Sequence, residues 1–212
     1  MGINVDFHLG AADGLEGLFW GCDLAAFQDW AYEEPEAWKI SEDMLLRLDR
    51  IVSEGPGSLL PDSAQGANNI DLIFNLFVGS YCDHLSVTIL ESVAPAVLGR
   101  LLFAYAQDEV AARCSDVTSE CWQYLLKGRP VGRPPNSYPY SLESTGFQVG
   151  YWTVDEVRAV LDDLRRHFPK VVRFEDPRAT RGLLDWGAVE IVYVSTLRAF
   201  EAGAGLVTTI SS

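Results

Sequence analysis

The chain has 212 residues, 48% of them hydrophobic and 22% charged, with a formal net charge of −14. That length buries a core without disulfide or metal staples, and the composition excludes a disordered chain. So acidic a balance excludes a general binder of nucleic-acid backbones or anionic membranes and draws in basic partners instead.

The charge is lopsided. Residues 1–99 hold 16 acids against Lys39, Arg47 and Arg50, whereas residues 100–212 hold 14 acids against 13 bases. One globular domain over 1–212 is expected, with an acidic helical half (1–99) and a charge-balanced half (100–212). No basic run precedes an apolar one near Met1, and Cys22, Cys82, Cys114 and Cys121 are irregularly spaced. A cytoplasmic protein with free thiols is therefore expected.

In chain order, Ile3, Val5, Phe7 and Leu9 alternate with Asn4, Asp6 and His8, the period-two pattern of a half-buried strand. A short helical piece through Leu15, Leu18 and Phe19 ends at Gly21. Asp23 stands as N-cap to a helix carrying Leu24, Phe27, Trp30 and Ala31, which Pro35 stops. Ser41 caps the next helix, where Leu45, Leu48, Ile51 and Val52 share a face, and Gly55-Pro56-Gly57 ends it. A loop over 56–68 leads to the most apolar run, Ile70 to Ala106, read as two or three buried helices. Asp71, Asp83, His84, Glu91 and Arg100 interrupt it, whereas a membrane span needs ~20 mostly apolar residues. Pro95 suits the first turn of its last helix, which is read as running to about Ala106.

A further helix, about Asp116 to Leu126, stops at Lys127-Gly128. Residues 128–146 carry Pro130, Pro134, Pro135 and Pro139 among Arg129, Arg133, Tyr138 and Tyr140; they are either a polyproline strap or a binding loop. Thr153-Val154-Asp155-Glu156 is a capping box, with Trp152 and Val157 at the staple positions and Val157, Val160, Leu161, Leu164 and Phe168 in one stripe. Val171, Val172 and Phe174 predict a short strand. Within 185–202, Ile191 to Val194 has strand character, but Trp186, Val189, Tyr193, Leu197 and Phe200 recur at helical spacing, and the longer pattern favours a helix. Gly203 and Gly205 end it, and Leu206 to Ile210 closes as a strand. The fold class is thus α+β, mostly helical, with a small sheet formed by the N-terminal and C-terminal strands.

Asp6 and His8 share one strand face, the beginning of a general-base arrangement. An enzyme reading places a pocket there, walled by the 128–146 loop; a polar face meeting solvent explains the same spacing. Cys82-Asp83-His84, with Cys114 and Cys121, collects metal-ligand types, but the seven-residue gap between the last two fits buried structural thiols better. There is no phosphate loop, dinucleotide glycine fingerprint or nucleophile elbow. No cofactor and no metal is expected.

The stretch from Asp23 to Asp43 mixes acids with large aromatics. Asp29, Tyr32, Glu33, Glu34, Glu36, Glu42 and Asp43, beside Trp30 and Trp38, are the candidate partner-binding residues. Charges there steer and select a basic partner, while aromatics supply contact energy. An acidic helix face with inward tryptophans is the competing account, and an acidic mimic of nucleic acid a third.

The opening strand after Met1-Gly2, the acidic helical first half, the apolar middle and Gly150-Tyr151-Trp152-Thr153-Val154-Asp155-Glu156-Val157 before the later helices resemble the layout of the YfbM-like group of small bacterial proteins. Relatives of such groups include immunity-type proteins of toxin systems, so the resemblance implies a binder rather than an enzyme. Joined to the charge, it leads to the expectation of an immunity-type inhibitor that neutralises a basic, nuclease-like toxin by steric and electrostatic blocking. Neither nucleic acid nor membrane is expected as a direct partner.

Overall fold

The computed structural model describes residues 4–10, 14–33, 35–36, 40–55, 73–82, 91–92, 101–129, 147–175 and 187–211. The fold is α+β, mostly helical with a small antiparallel sheet. By contact the chain divides into two compact units, one drawn from residues 1–13, 89–129 and 146–212 and the other from 14–88 and 130–145.

The first unit is built on the sheet, in the order β2-β1-β4-β3. β1 (Asn4–Gly10) pairs antiparallel with β4 (Gly205–Ser211) along its whole length, so the two strands expected from the sequence form the centre of the sheet. Two further strands flank them. β2 is only Glu91–Ser92, lying within the stretch read as helical, and β3 is Phe147–Trp152, which the alternation test missed. Phe147, Val149 and Tyr151 alternate with Gln148 and Gly150, but the pattern spans only five residues and runs directly into the capping box of the next helix; Val149, Tyr151 and Trp152 are all at most 3% exposed.

Four helices complete this unit: α4 (Leu101–Arg113), α5 (Asp116–Lys127), α6 (Val154–His167) and α7 (Ala188–Glu201). Phe7, Thr208 and Gly150 lie side by side across the sheet. At one end of that row the Phe7 ring meets Phe103 of α4 at 5.8 Å, and at the other the bare Gly150 lets the α5 backbone come close. Two indoles lock the layer: Trp122 Nε1 donates to the Phe103 carbonyl and Trp152 Nε1 to the Cys121 carbonyl, each at 2.9 Å. α4 runs on to Arg113, past the expected end at Ala106, and Tyr105, counted with the core in the sequence, is exposed.

α6 follows its sequence closely. Thr153 Oγ1 accepts from the Glu156 amide and Glu156 accepts in return from the Thr153 amide at 2.7 Å, the expected capping box. Val157, Val160, Leu161 and Leu164 form its buried stripe, about 1.5–3 kcal/mol of burial each. Thr153→Ala is expected to cost about 1 kcal/mol in a urea melt, the worth of one N-cap. Beyond the helix, Pro169–Glu175 is a 3-10 helix rather than the expected strand. Its buried residues, Val171 and Phe174, are three apart while Val172 faces out, which is the 3-10 period.

The same capping carboxylate anchors Arg129, whose Nη1 donates to Glu156 Oε2 at 2.6 Å and to the Tyr151 carbonyl at 3.1 Å. The guanidinium lies between two rings, 4.7 Å from the Tyr124 centroid and 4.6 Å from that of Tyr151. Arg129 thus ties the end of α5 to β3 and α6. Of the expected 128–146 loop, residues 130–146 lie outside the described residues.

The second unit contains α1 (Leu15–Gly21), α2 (Leu24–Glu33), α3 (Glu42–Glu54) and a helical segment at 73–82 with a π turn over Phe77–Tyr81. Both expected caps form: Asp23 Oδ1 accepts from the Ala25 and Ala26 amides, and Ser41 from the Met44 amide. The core is aromatic. Phe19 meets Phe74 and Phe77 edge-on at 5.5 and 5.4 Å, and Phe27 stacks on Tyr81 at 4.6 Å. The parts of Ile70 to Ala106 at 70–72, 83–90 and 93–100 lie outside the described residues.

Candidate acidic interface on α2 and α3

α2 has an inner stripe of Phe27, Trp30 and Ala31 and an outer side carrying Asp29, Tyr32 and Glu33. Trp30 therefore points inward, stacked near Phe27 and 5.2 Å from Tyr81, and does not join the outer surface as an interface aromatic. Tyr32 does, at 48% exposed. Its hydroxyl donates to Asp49 Oδ2 at 2.8 Å, and Gln28 Nε2 donates to Asp49 Oδ1 at 2.6 Å, so one carboxylate of α3 receives two side chains of α2. The hydrogen bond to Asp49 pushes the Tyr32 phenol above its ordinary range, so it stays a neutral donor. Asp49 was outside the set expected from the sequence, because its partners lie 17 and 21 residues away.

Of the expected interface residues, Asp29, Glu33, Glu36, Glu42 and Asp43 are all exposed. Asp29, Tyr32 and Glu33 come together with Gln28 around an open concavity of about 570 Å³. Asp43 is held by Arg47 at 2.5 Å, one turn along α3. Asp29, Glu33, Glu36 and Glu42 make no ion pair among the described residues. Glu34 and Trp38 lie outside the described residues. By sequence the second unit carries 14 acids against 4 bases, and the first 16 against 12, so the negative excess gathers on the unit that holds this surface.

The other expected constellations are also placed. Asp6 and His8 are half-buried on the same face of β1, and His8 Nε2 lies 3.2 Å from Thr209 Oγ1 on β4, a tie between strands. All four cysteines are free; Cys82 and Cys121 are buried. Burial pushes the Cys114 thiol up to about 11, with the Asp163 charge adding to it, and Cys121 is raised further, so both are protonated and unreactive at neutral pH. Asp83 and His84 lie outside the described residues, and among those described no three His, Cys, Asp or Glu side chains gather as a metal group. No helix among the described residues is long and apolar enough to cross a membrane.

A buried carboxylate the sequence reading passed over is Asp163 on α6. Its Oδ2 accepts from the Ser115 amide at 2.8 Å, Ser115 Oγ at 2.5 Å and Thr118 Oγ1 at 2.7 Å, at the N-terminus of α5. No family model, curated protein or solved structure matches the chain.

Proposed function

We propose that this protein binds a basic protein partner through the outer surface of α2 and α3, and that it acts as an immunity-type inhibitor of a nuclease-like toxin. The observation that carries the reading is the set of exposed carboxylates at Asp29, Glu33, Glu36 and Glu42, left without ion pairs among the described residues, with Asp29 and Glu33 beside a tyrosine whose hydroxyl is fixed by Asp49. Unpaired surface carboxylates raise the encounter rate with a cationic surface. A held aromatic ring makes contact with little further loss of side-chain freedom. Inhibition by blocking needs only that the partner's cationic active-site rim be covered, and asks no chemistry of this chain. The resemblance of the sequence layout to the YfbM-like group points to the same reading.

The test is titration of a basic nuclease-type toxin domain with wild-type protein and with a variant carrying Asp29→Lys, Glu33→Lys and Glu36→Lys. At least about tenfold weaker binding is expected, as each lost surface pair is worth about 0.2–1 kcal/mol and each reversal adds repulsion. The dependence on salt should also become shallower, and relief of nuclease inhibition should follow the loss of affinity. Equal affinity for both proteins removes this surface from the function.

A further inference from the structure

In the sheet-containing unit, a cleft of about 600 Å³ opens between α4, the turn that leaves α6, and the first turn of α7. That is the size of a small-molecule site, roughly 300–1,000 Å³. Its shape follows from the sequence. Leu102, Ala106, Glu109 and Arg113 recur every three or four residues and so share one side of α4. Pro169 turns the chain away after α6, bringing Phe168 and Val171 to face that side, and Ala188 closes the third wall. The floor is therefore apolar. At the mouth stands Tyr105, an aromatic ring 80% exposed.

The charges on the walls decide what would fill it. Glu109 and Arg113 neutralise each other at 3.0 Å, and the Arg113 guanidinium also lies 5.4 Å from the Phe168 ring centroid, so this pair is committed to the wall. His167 also lines the cleft and acts on Asp163 of its own helix, which leaves two charges over. Lys170 and Glu190 make no ion pair or hydrogen bond among the described residues, and they sit on different walls. Glu190 is folded back over Gly187, where an added Cβ would lie 2.6 Å from its Oε2; only a glycine leaves the carboxylate room in that position. One cation, one carboxylate and an apolar floor with an aromatic at the entrance complement a molecule that carries the opposite arrangement.

We infer that this cleft binds a small zwitterion with apolar side chains, on the scale of a dipeptide. Its carboxylate faces Lys170, its ammonium faces Glu190, and its side chains lie on Leu102, Ala106 and Phe168 beneath Tyr105. The site belongs to the sheet-containing unit, whereas α2 and α3 belong to the other.

The probe is the dipeptide Phe-Phe, followed by calorimetric titration beside its N-acetyl form, which lacks the ammonium, and its C-terminal amide, which lacks the carboxylate. Saturable one-to-one binding of Phe-Phe is expected, with both blocked forms about tenfold weaker, the size of one charge-assisted hydrogen bond. Lys170→Glu should weaken Phe-Phe similarly while leaving the amide form unaffected or improved, and Glu190→Gln should abolish the distinction between Phe-Phe and its N-acetyl form. Ala106→Trp, which fills the cleft from the exposed side of α4, should remove all binding; Lys170 is exposed, so its variant keeps the test open if the tryptophan disturbs folding. Absence of saturable binding to the wild-type protein overturns the inference. So does equal affinity for the free and both blocked peptides, or binding that survives all three substitutions.

Discussion

Asp163→Ala is expected to lower the free energy of unfolding by about 2–3 kcal/mol, because it takes the acceptor from the buried Thr118 hydroxyl and from two part-buried donors of Ser115. The carboxylate accepts three hydrogen bonds from Ser115 and Thr118, and Thr118 is fully buried. Ser115 is also the N-cap of α5, accepting from the Thr118 amide, so the loss reaches the start of that helix as well as its packing on α6. A urea melt with an unchanged slope and a lower midpoint is the expected record.

The same residue has a pH signature. Burial by itself would raise the Asp163 carboxyl, but the hydrogen bonds from Ser115 and Thr118, together with the charge of His167, outweigh it and hold the group below the usual carboxylate range. A lowered folded value means that its contribution is complete above the unfolded value of about 3.9 and is lost as pH falls through the lowered one. Wild-type stability should therefore decline more steeply below about pH 4 than that of Asp163→Asn, which carries no titrating group there. Parallel acid limbs for the two proteins would sink this assignment.

The second large effect is expected at Gly150. A methyl group there would lie 2.5 Å from Thr208 Oγ1 and 3.0 Å from the Tyr124 carbonyl carbon, and would overlap the Tyr124 carbonyl oxygen. That oxygen cannot retreat freely, since it accepts from the Gly128 amide at 2.9 Å in the C-cap of α5. Gly150→Ala should cost about 3 kcal/mol, the upper part of the range for overpacking. The cause is close approach, not backbone conformation. Gly17 of α1 provides the contrast: an added Cβ meets nothing within 4 Å, so Gly17→Ala should stabilise the helix by about 0.5–1 kcal/mol. Thermal melts of the two variants moving in opposite directions would establish the distinction; a common direction would contradict it.

What could be read from the sequence was what is decided within a few residues. Asp23, Ser41 and Thr153 cap because each reaches an amide two or three positions ahead. Alternation revealed β1 because one side of it carries Asp6 and His8 over a full seven residues, whereas in β3 the pattern of Phe147, Val149 and Tyr151 is shorter and merges at Trp152 with the cap of α6. Val171, Val172 and Phe174 have strand propensity, yet following Pro169 they wind into a 3-10 turn that buries only the first and the last. The acidic surface was legible as composition, but its internal order was not. Trp30 belongs to the core by its spacing from Phe27, and the fastening of Tyr32 depends on Asp49, on another helix. Arg129 likewise looked like part of a proline-rich arm, since Glu156 is 27 residues further on. The cleft beside α4 required three distant segments to meet, and no local pattern encodes that.

The pairing of β1 with β4 joins residues about 200 positions apart. At a translation rate of roughly 5–20 residues per second, the first strand emerges from the ribosome about 10–40 s before its hydrogen-bonding neighbour exists. Throughout that interval Val5, Phe7 and Leu9 have no β4 to lie against, and sheet assembly must await the synthesis of β4. A nascent chain stalled short of Gly205 should accordingly lack the protease resistance of the released protein over 4–10.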